Sequence, residues 1–175
     1  MHPMLQKHVD SGYMKEEHGL YIEQAIEKGE TLIISGHRSA GIRPFMAAIM
    51  AVVKGKYKTV QVKDEAGCAN AKDVDYILVP ALTEENCDSL VQAAFNAKNI
   101  VTYKETELKY SMMKIMKVQA KQVGDLSKVV NLIECRKINM IPHLINFSRM
   151  TYDEKGKVKR AVSYTHLTLP TKRIV

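Results

Sequence analysis

The chain has 175 residues, 46% hydrophobic and 26% charged, a balance that builds one globular domain and excludes collagen-like, low-complexity and wholly disordered chains. Its formal net charge of +7 is unevenly placed: residues 1–97 carry ten basic and thirteen acidic side chains, residues 98–161 fourteen and six. No apolar run approaches the ~20 residues of a membrane span, and Met1-His2-Pro3 lacks the basic and apolar regions of a signal peptide, so a cytoplasmic protein with no membrane partner is expected.

The first helix is expected over Met14 to Lys28, where Tyr21, Ile22, Ala25 and Ile26 fall at helical spacing and Gly29 supplies a C-cap. Thr31-Leu32-Ile33-Ile34, bounded by Gly29 and Gly36, reads as a strand buried on both faces. Pro44 to Lys54 follows as a helix, with Pro44 suited to its first position and Gly55 past its end. Further strands are expected at Tyr57 to Val62, Val74 to Val79 and Ile100 to Tyr103. Between the last two, Glu84 to Ala97 is a helix headed by Thr83. This alternation predicts an α/β fold, a three-layer Rossmann-like sandwich with a mostly parallel sheet, whose core is residues 1–103.

After Tyr103 the pattern changes. Lys104 to Val123 reads as one long helix with Leu108, Met112, Ile115, Met116, Gln119 and Val123 along one side and Lys114, Lys117 and Lys121 along another. Asp125 heads a further helix to about Cys135. Pro142 to Thr151 and Lys157 to Ala161 then form a hairpin closed through Asp153-Glu154-Lys155-Gly156. Residues 104–161 are thus a basic helical segment and hairpin, packed on the core or starting a truncated second unit. The run Val162-Ser163-Tyr164-Thr165-His166-Leu167 resembles the translation of a transposase recognition sequence used in sequencing libraries, so residues 162–175 are expected to be a non-native tail.

Ligands of open α/β sheets bind beyond the carboxyl ends of the strands, which points to the loop Ser35 to Arg43. Gly36 and Gly41 let the backbone turn its amides inward, and the next helix offers the amides of Phe45 and Met46. Ser35 and Ser39 add hydroxyls, Arg38 and Arg43 add guanidinium groups that pair with phosphate, and His37 can move a proton. A phosphorylated small molecule, phosphosugar or nucleotide, is the expected partner. Gly36 and Gly41 have the spacing of a P-loop, but Ile42-Arg43 stands where Lys-Ser/Thr would hold phosphate and magnesium, which argues against an ATPase. The dinucleotide pattern GxGxxG is absent, and no cofactor is expected. Candidate catalytic groups are His37, Glu84 and Glu85.

The loop Gly36-His37-Arg38-Ser39, with Asp75 to Val79 and Leu90 to Lys98, resembles the sugar isomerase (SIS) domain over residues 20 to 103. That resemblance implies phosphosugar binding at Ser35 to Ser39 and sugar-phosphate isomerisation or regulatory sensing. Pro80-Ala81-Leu82-Thr83 replaces the family's Ser-x-Ser-Gly-x-Thr loop. Ala25 to Val53, with Ser35-Gly36 and Ala40-Gly41-Ile42, also resembles the nucleotide-binding domain of DNA-processing protein A, with one residue inserted and Arg43 in place of an acid.

Other readings are weighed beside these. The Lys114, Lys117 and Lys121 stripe fits a nucleic-acid backbone, and a basic nucleic-acid-associated domain is the second reading. A non-catalytic subunit whose apolar helix face meets a partner, another copy of the chain included, is the third; Met112, Met113 and Met116 would supply an adaptable groove but are more simply core. Cys68, Cys87 and Cys135 form no CxxC pair and are expected to be free, buried thiols. His2, His8 and His18 lack a dependable pairing, and no metal site is assigned.

Overall fold

The computed structural model describes residues 1–164. Seven strands form one sheet in the order β2-β3-β4-β1-β5-β6-β7, where β1 is Thr31–Gly36, β2 Thr59–Gln61, β3 Tyr76–Leu78, β4 Asn99–Glu105, β5 Val130–Ile138, β6 Ile141–Tyr152 and β7 Val158–Tyr164. The first five strands in this order are parallel, and β6 and β7 continue the sheet antiparallel. Six helices cover it: α1 Pro3–Asp10, α2 Glu16–Glu27, α3 Ile42–Lys56, α4 Glu65–Ala69, α5 Cys87–Ala97 and α6 Met112–Gln122.

The sheet carries two cores. Leu32 and Ile34 point to one face and pack with Ile22, Ile26, Phe45 and Ile49 of α2 and α3; Ile33 points to the other and packs with Leu90 and Phe95 of α5 and Met116 of α6. Alternate residues of one apolar run therefore serve opposite layers, as a parallel strand buried on both faces requires. The expected α/β sandwich with a mostly parallel sheet is what forms. Among the described residues no helix is long and apolar enough to cross a membrane.

Several expected boundaries are corrected. The helix expected over Lys104 to Val123 begins only at Met112, where Ser111 caps it by accepting from the Lys114 amide; β4 runs on to Glu105, and a turn closed by Leu108 N–H to Glu105 C=O lies between. The helix expected from Asp125 to Cys135 is instead β5. The Asp125 carboxylate accepts from the amide and hydroxyl of Ser127, closing a turn that feeds the chain into the sheet beside β1. Thr83 caps a turn, not the helix itself: its amide donates to Asn86 Oδ1 and Asn86 N–H donates to Thr83 Oγ1, and α5 starts at Cys87. The N-terminal α1 was not anticipated, although His2, which accepts from the Met4 amide, and Pro3 at its first position are its sequence signals.

The hairpin forms as β6 and β7, within the limits set by the Asp153 to Gly156 turn. Residues 104–161 thus add β5 to β7 to the same sheet and α6 to one of its faces. Of the expected tail, 162–164 pair with β6, and 165–175 lie outside the described residues. Cys68, Cys87 and Cys135 are free and buried, and burial raises each thiol's pKa, Cys135 to about 12.

Candidate functional site

The helix that follows β1, α3, lies on one face of the sheet, while α6, which follows β4, lies on the other. Since β1 and β4 are neighbours, their chains part at the carboxyl end and open a crevice, the switch point where α/β sheets bind ligands. A cleft of about 630 Å³ occupies this position. Arg38 and Arg43 from the loop after β1 border it, with Glu105 from the end of β4, Glu107 from the turn that follows, and the apolar surface of Leu82, Tyr103 and Leu108.

The loop's shape follows from its sequence. Gly36 has φ 151, and a Cβ there would lie 2.4 Å from the Cys135 carbonyl oxygen, so only glycine lets β1 end this close to β5. His37 then caps a single 3-10 turn, Arg38–Ala40: its Nδ1 accepts from the Ser39 amide at 3.1 Å, and Ala40 N–H donates to His37 C=O. Gly41, at φ 71, makes the left-handed step into α3. Tyr13 holds the turn from behind, donating its hydroxyl to Ala40 C=O at 2.9 Å.

Because α3 begins at Ile42, two residues earlier than expected, Phe45 N–H is spent on Gly41 C=O, and Pro44, as a proline, has no N–H of its own. The expected cradle of Phe45 and Met46 amides is therefore absent. Ile42 is buried, and its Cδ1 lies 3.4 Å from the position of a Cβ on Gly36, so an apolar side chain fills the space inside the turn where a P-loop would place its lysine.

The expected ligand residues part into two groups. Arg38 and Arg43, both exposed, border the main cleft. Ser35, Gly36, His37 and Ser39 line a second recess of about 370 Å³ that backs onto Glu134 to Lys137 of β5. Gly41 faces Tyr13 and Pro142 instead. Glu84 and Glu85 sit exposed on the turn before α5, and neither borders the main cleft. Lys114, Lys117 and Lys121 are exposed on α6, while Met112 and Met116 are buried in the core.

Two acids that the sequence reading did not single out belong to the cleft. Glu107 reaches Arg38 at 3.7 Å, an exposed pair. Glu105 is 8% exposed, and its Oε1 has no hydrogen-bond partner. One ring nitrogen of His37 and one carboxylate oxygen each of Glu105 and Glu107 lie within 4.8 Å of one another. Both glutamates fell inside a stretch read as helix, where residues two apart point away from each other; the signal that would have found them is the strand ending at Glu105.

No family model and no curated protein matches the chain. Among solved structures it is similar to the VirB11 ATPase of the Brucella suis type IV secretion system, crystallised in complex with sulphate, with a TM-score of 0.52 and 14% sequence identity. The match covers 90% of this chain and 60% of that one, and at this identity the likeness is one of α/β fold.

Proposed function

We propose that the crevice between β1 and β4 binds a phosphorylated small molecule, with Arg38 and Arg43 on its phosphate. The observation that carries this reading is the placement of two guanidinium groups from one strand-to-helix loop on a single cleft at the switch point of a parallel sheet. The dipole of the fifteen-residue α3 adds positive potential at the same end. Leu82, Tyr103 and Leu108 offer an apolar wall for the body of the ligand, and Glu105 and Glu107 accept from its hydroxyl groups, a set of contacts suited to a phosphosugar or nucleoside phosphate. Ile42 and Arg43 in place of the lysine and hydroxyl of a P-loop argue for binding or sensing over triphosphate hydrolysis. Sugar-phosphate isomerisation would need a proton-moving group on the ligand, and His37, beside Glu105 and Glu107, is the candidate.

Thermal unfolding against a panel of sugar phosphates and nucleoside phosphates tests the reading. A ligand present at a hundred times its Kd should raise Tm by about 5 °C or more. Arg38→Ala and Arg43→Ala should each abolish the rise, whereas Lys114→Ala in the exposed stripe of α6 should leave it. A rise that survives both arginine substitutions, or none with any phosphate, removes the anion from this cleft.

A further inference from the structure

Gly36 and Glu105 are opposed in the parallel register of β1 and β4, so the chain leaving β1 places His37 beside the last residue of β4. The turn after β4 brings Glu107 back to the same spot. The result is one nitrogen and two carboxylate oxygens within 4.8 Å, donated by three residues that the pairing of two strands makes neighbours. Ligands held about 2.1 Å from a zinc-sized ion stand about 3.4 Å apart, so rotamer adjustments of the exposed His37 and Glu107 close the remaining distance.

An acidic cluster alone would mean little, because exposed carboxylates are often just solvated. Glu105 is different. It is withdrawn from water, and its Oε1 faces no donor. A carboxylate oxygen in that condition calls for a cation. Arg38 does not supply one, since its carboxylate contact is with Glu107, at 3.7 Å and in solvent. The His37 ring is fixed from its Nδ1 side, where it accepts from the Ser39 amide at 3.1 Å and lies 2.7 Å from Ser39 Oγ; ligation through Nε2 moves the ring proton to Nδ1, which gives up the amide bond and donates to Ser39 Oγ instead.

We propose that His37, Glu105 and Glu107 form a divalent-cation site, of the mixed nitrogen and oxygen chemistry that suits zinc or manganese, with open coordination positions facing the cleft. Two carboxylates balance the charge of the ion. Three protein ligands are too few for calcium, which takes six to eight oxygens. The site shares Glu105, Glu107 and His37 with the anion reading but does not rest on it, since it needs neither Arg43 nor any bound phosphate.

The test is calorimetric titration of the chelator-treated full chain with zinc and, separately, manganese, the latter also followed by the electron paramagnetic resonance of free Mn²⁺. Magnesium and calcium serve as comparison arms. One equivalent of zinc or manganese is expected to bind, and Glu105→Gln, Glu107→Gln and His37→Asn are each expected to weaken it by about tenfold or more. His37 and Glu107 are exposed, so their variants keep the fold even if the buried substitution does not. Zinc held elsewhere, for instance by His2 or His8, would be indifferent to all three changes, and that result overturns the proposal. So does the absence of binding up to about 1 mM metal, or saturation by calcium or magnesium alone with His37→Asn unaffected.

Discussion

Two buried glutamates flank β1, Glu30 just before its amino end and Glu105 of β4 opposite its carboxyl end, and the fold treats them in opposite ways. At the amino end Glu30, 7% exposed, receives both guanidinium nitrogens of Arg149 at 2.8 and 2.9 Å and the Asn131 amide at 2.9 Å; Tyr21 in turn donates to Asn131 Oδ1 at 2.6 Å. At the carboxyl end Glu105, buried to the same degree, leaves Oε1 bare. Burial of a charge is tolerated where partners satisfy every lone pair, as at Glu30, and the network there ties α2, β1, β5 and β6 together. The bare carboxylate faces the switch-point cleft. The satisfied acid thus lies at the closed end of the sheet and the unsatisfied one at the open end, where the proposed ligand sites are.

The sharpest way to break this contrast is to strip the satisfied end. Arg149→Ala leaves Glu30 a buried anion with only an amide donor, and the expected loss is about 3 kcal/mol, the low end for a broken buried pair because the guanidinium is 35% exposed. Urea unfolding measures it. A loss below about 0.5 kcal/mol would mean that the pair behaves as a surface salt bridge, and the closed end would no longer differ from the open one.

The open end can be disturbed through its backbone. Gly36→Ala places a Cβ against the Cys135 carbonyl at a φ that side chains rarely adopt, and the carbonyl is held where the β5–β6 register shifts at Glu134/Cys135. Neither strand can yield cheaply. An expected cost of about 2 kcal/mol should appear in unfolding, together with loss of any phosphate or metal response, because His37 is the next residue. Retention of both responses at reduced stability would separate the cleft's geometry from the path of β1.

How much of this was legible beforehand differs between the same two regions. The core strands announced themselves: Thr31 to Ile34 and Val74 to Val79 are short, mostly apolar runs between turn residues, and burial on both faces needs nothing more. The loop from Ser35 to Arg43 could be located because strand, glycine and helix signals come in order, and its two arginines do border the cleft. What could not be read is which residues of other strands stand opposite. Register decides that Gly36 meets Glu105, and register lies in long-range pairing. The error over β5 has a related cause. Val130, Leu132 and Ile133 suit a strand or a helix, and Asp125 caps a turn as readily as a helix; only the vacancy beside β1 favours the strand. Arg149, 119 residues after Glu30, gave no sign that Glu30 was its partner.

The smallest expected effect is the most discriminating, since it concerns a change of sign. If Glu105 carries no structural duty, then in metal-free, phosphate-free buffer Glu105→Met should leave stability unchanged or raise it by about 1 kcal/mol, because an apolar side chain of similar length replaces a carboxylate that has lost its water. Met46, Leu82 and Leu108 line the adjoining cleft and give the new side chain apolar contacts. Glu30→Met, by contrast, leaves the Asn131 amide and the Arg149 guanidinium without their acceptor and should destabilise. The two substitutions are chemically identical and sit at equal burial, so transfer terms cancel in the comparison and the difference reports satisfaction alone. Chevron or equilibrium unfolding of the pair, in the same buffer, decides it: losses of equal size at both positions would show that Glu105 has a structural partner, and the division of labour along β1 would fail.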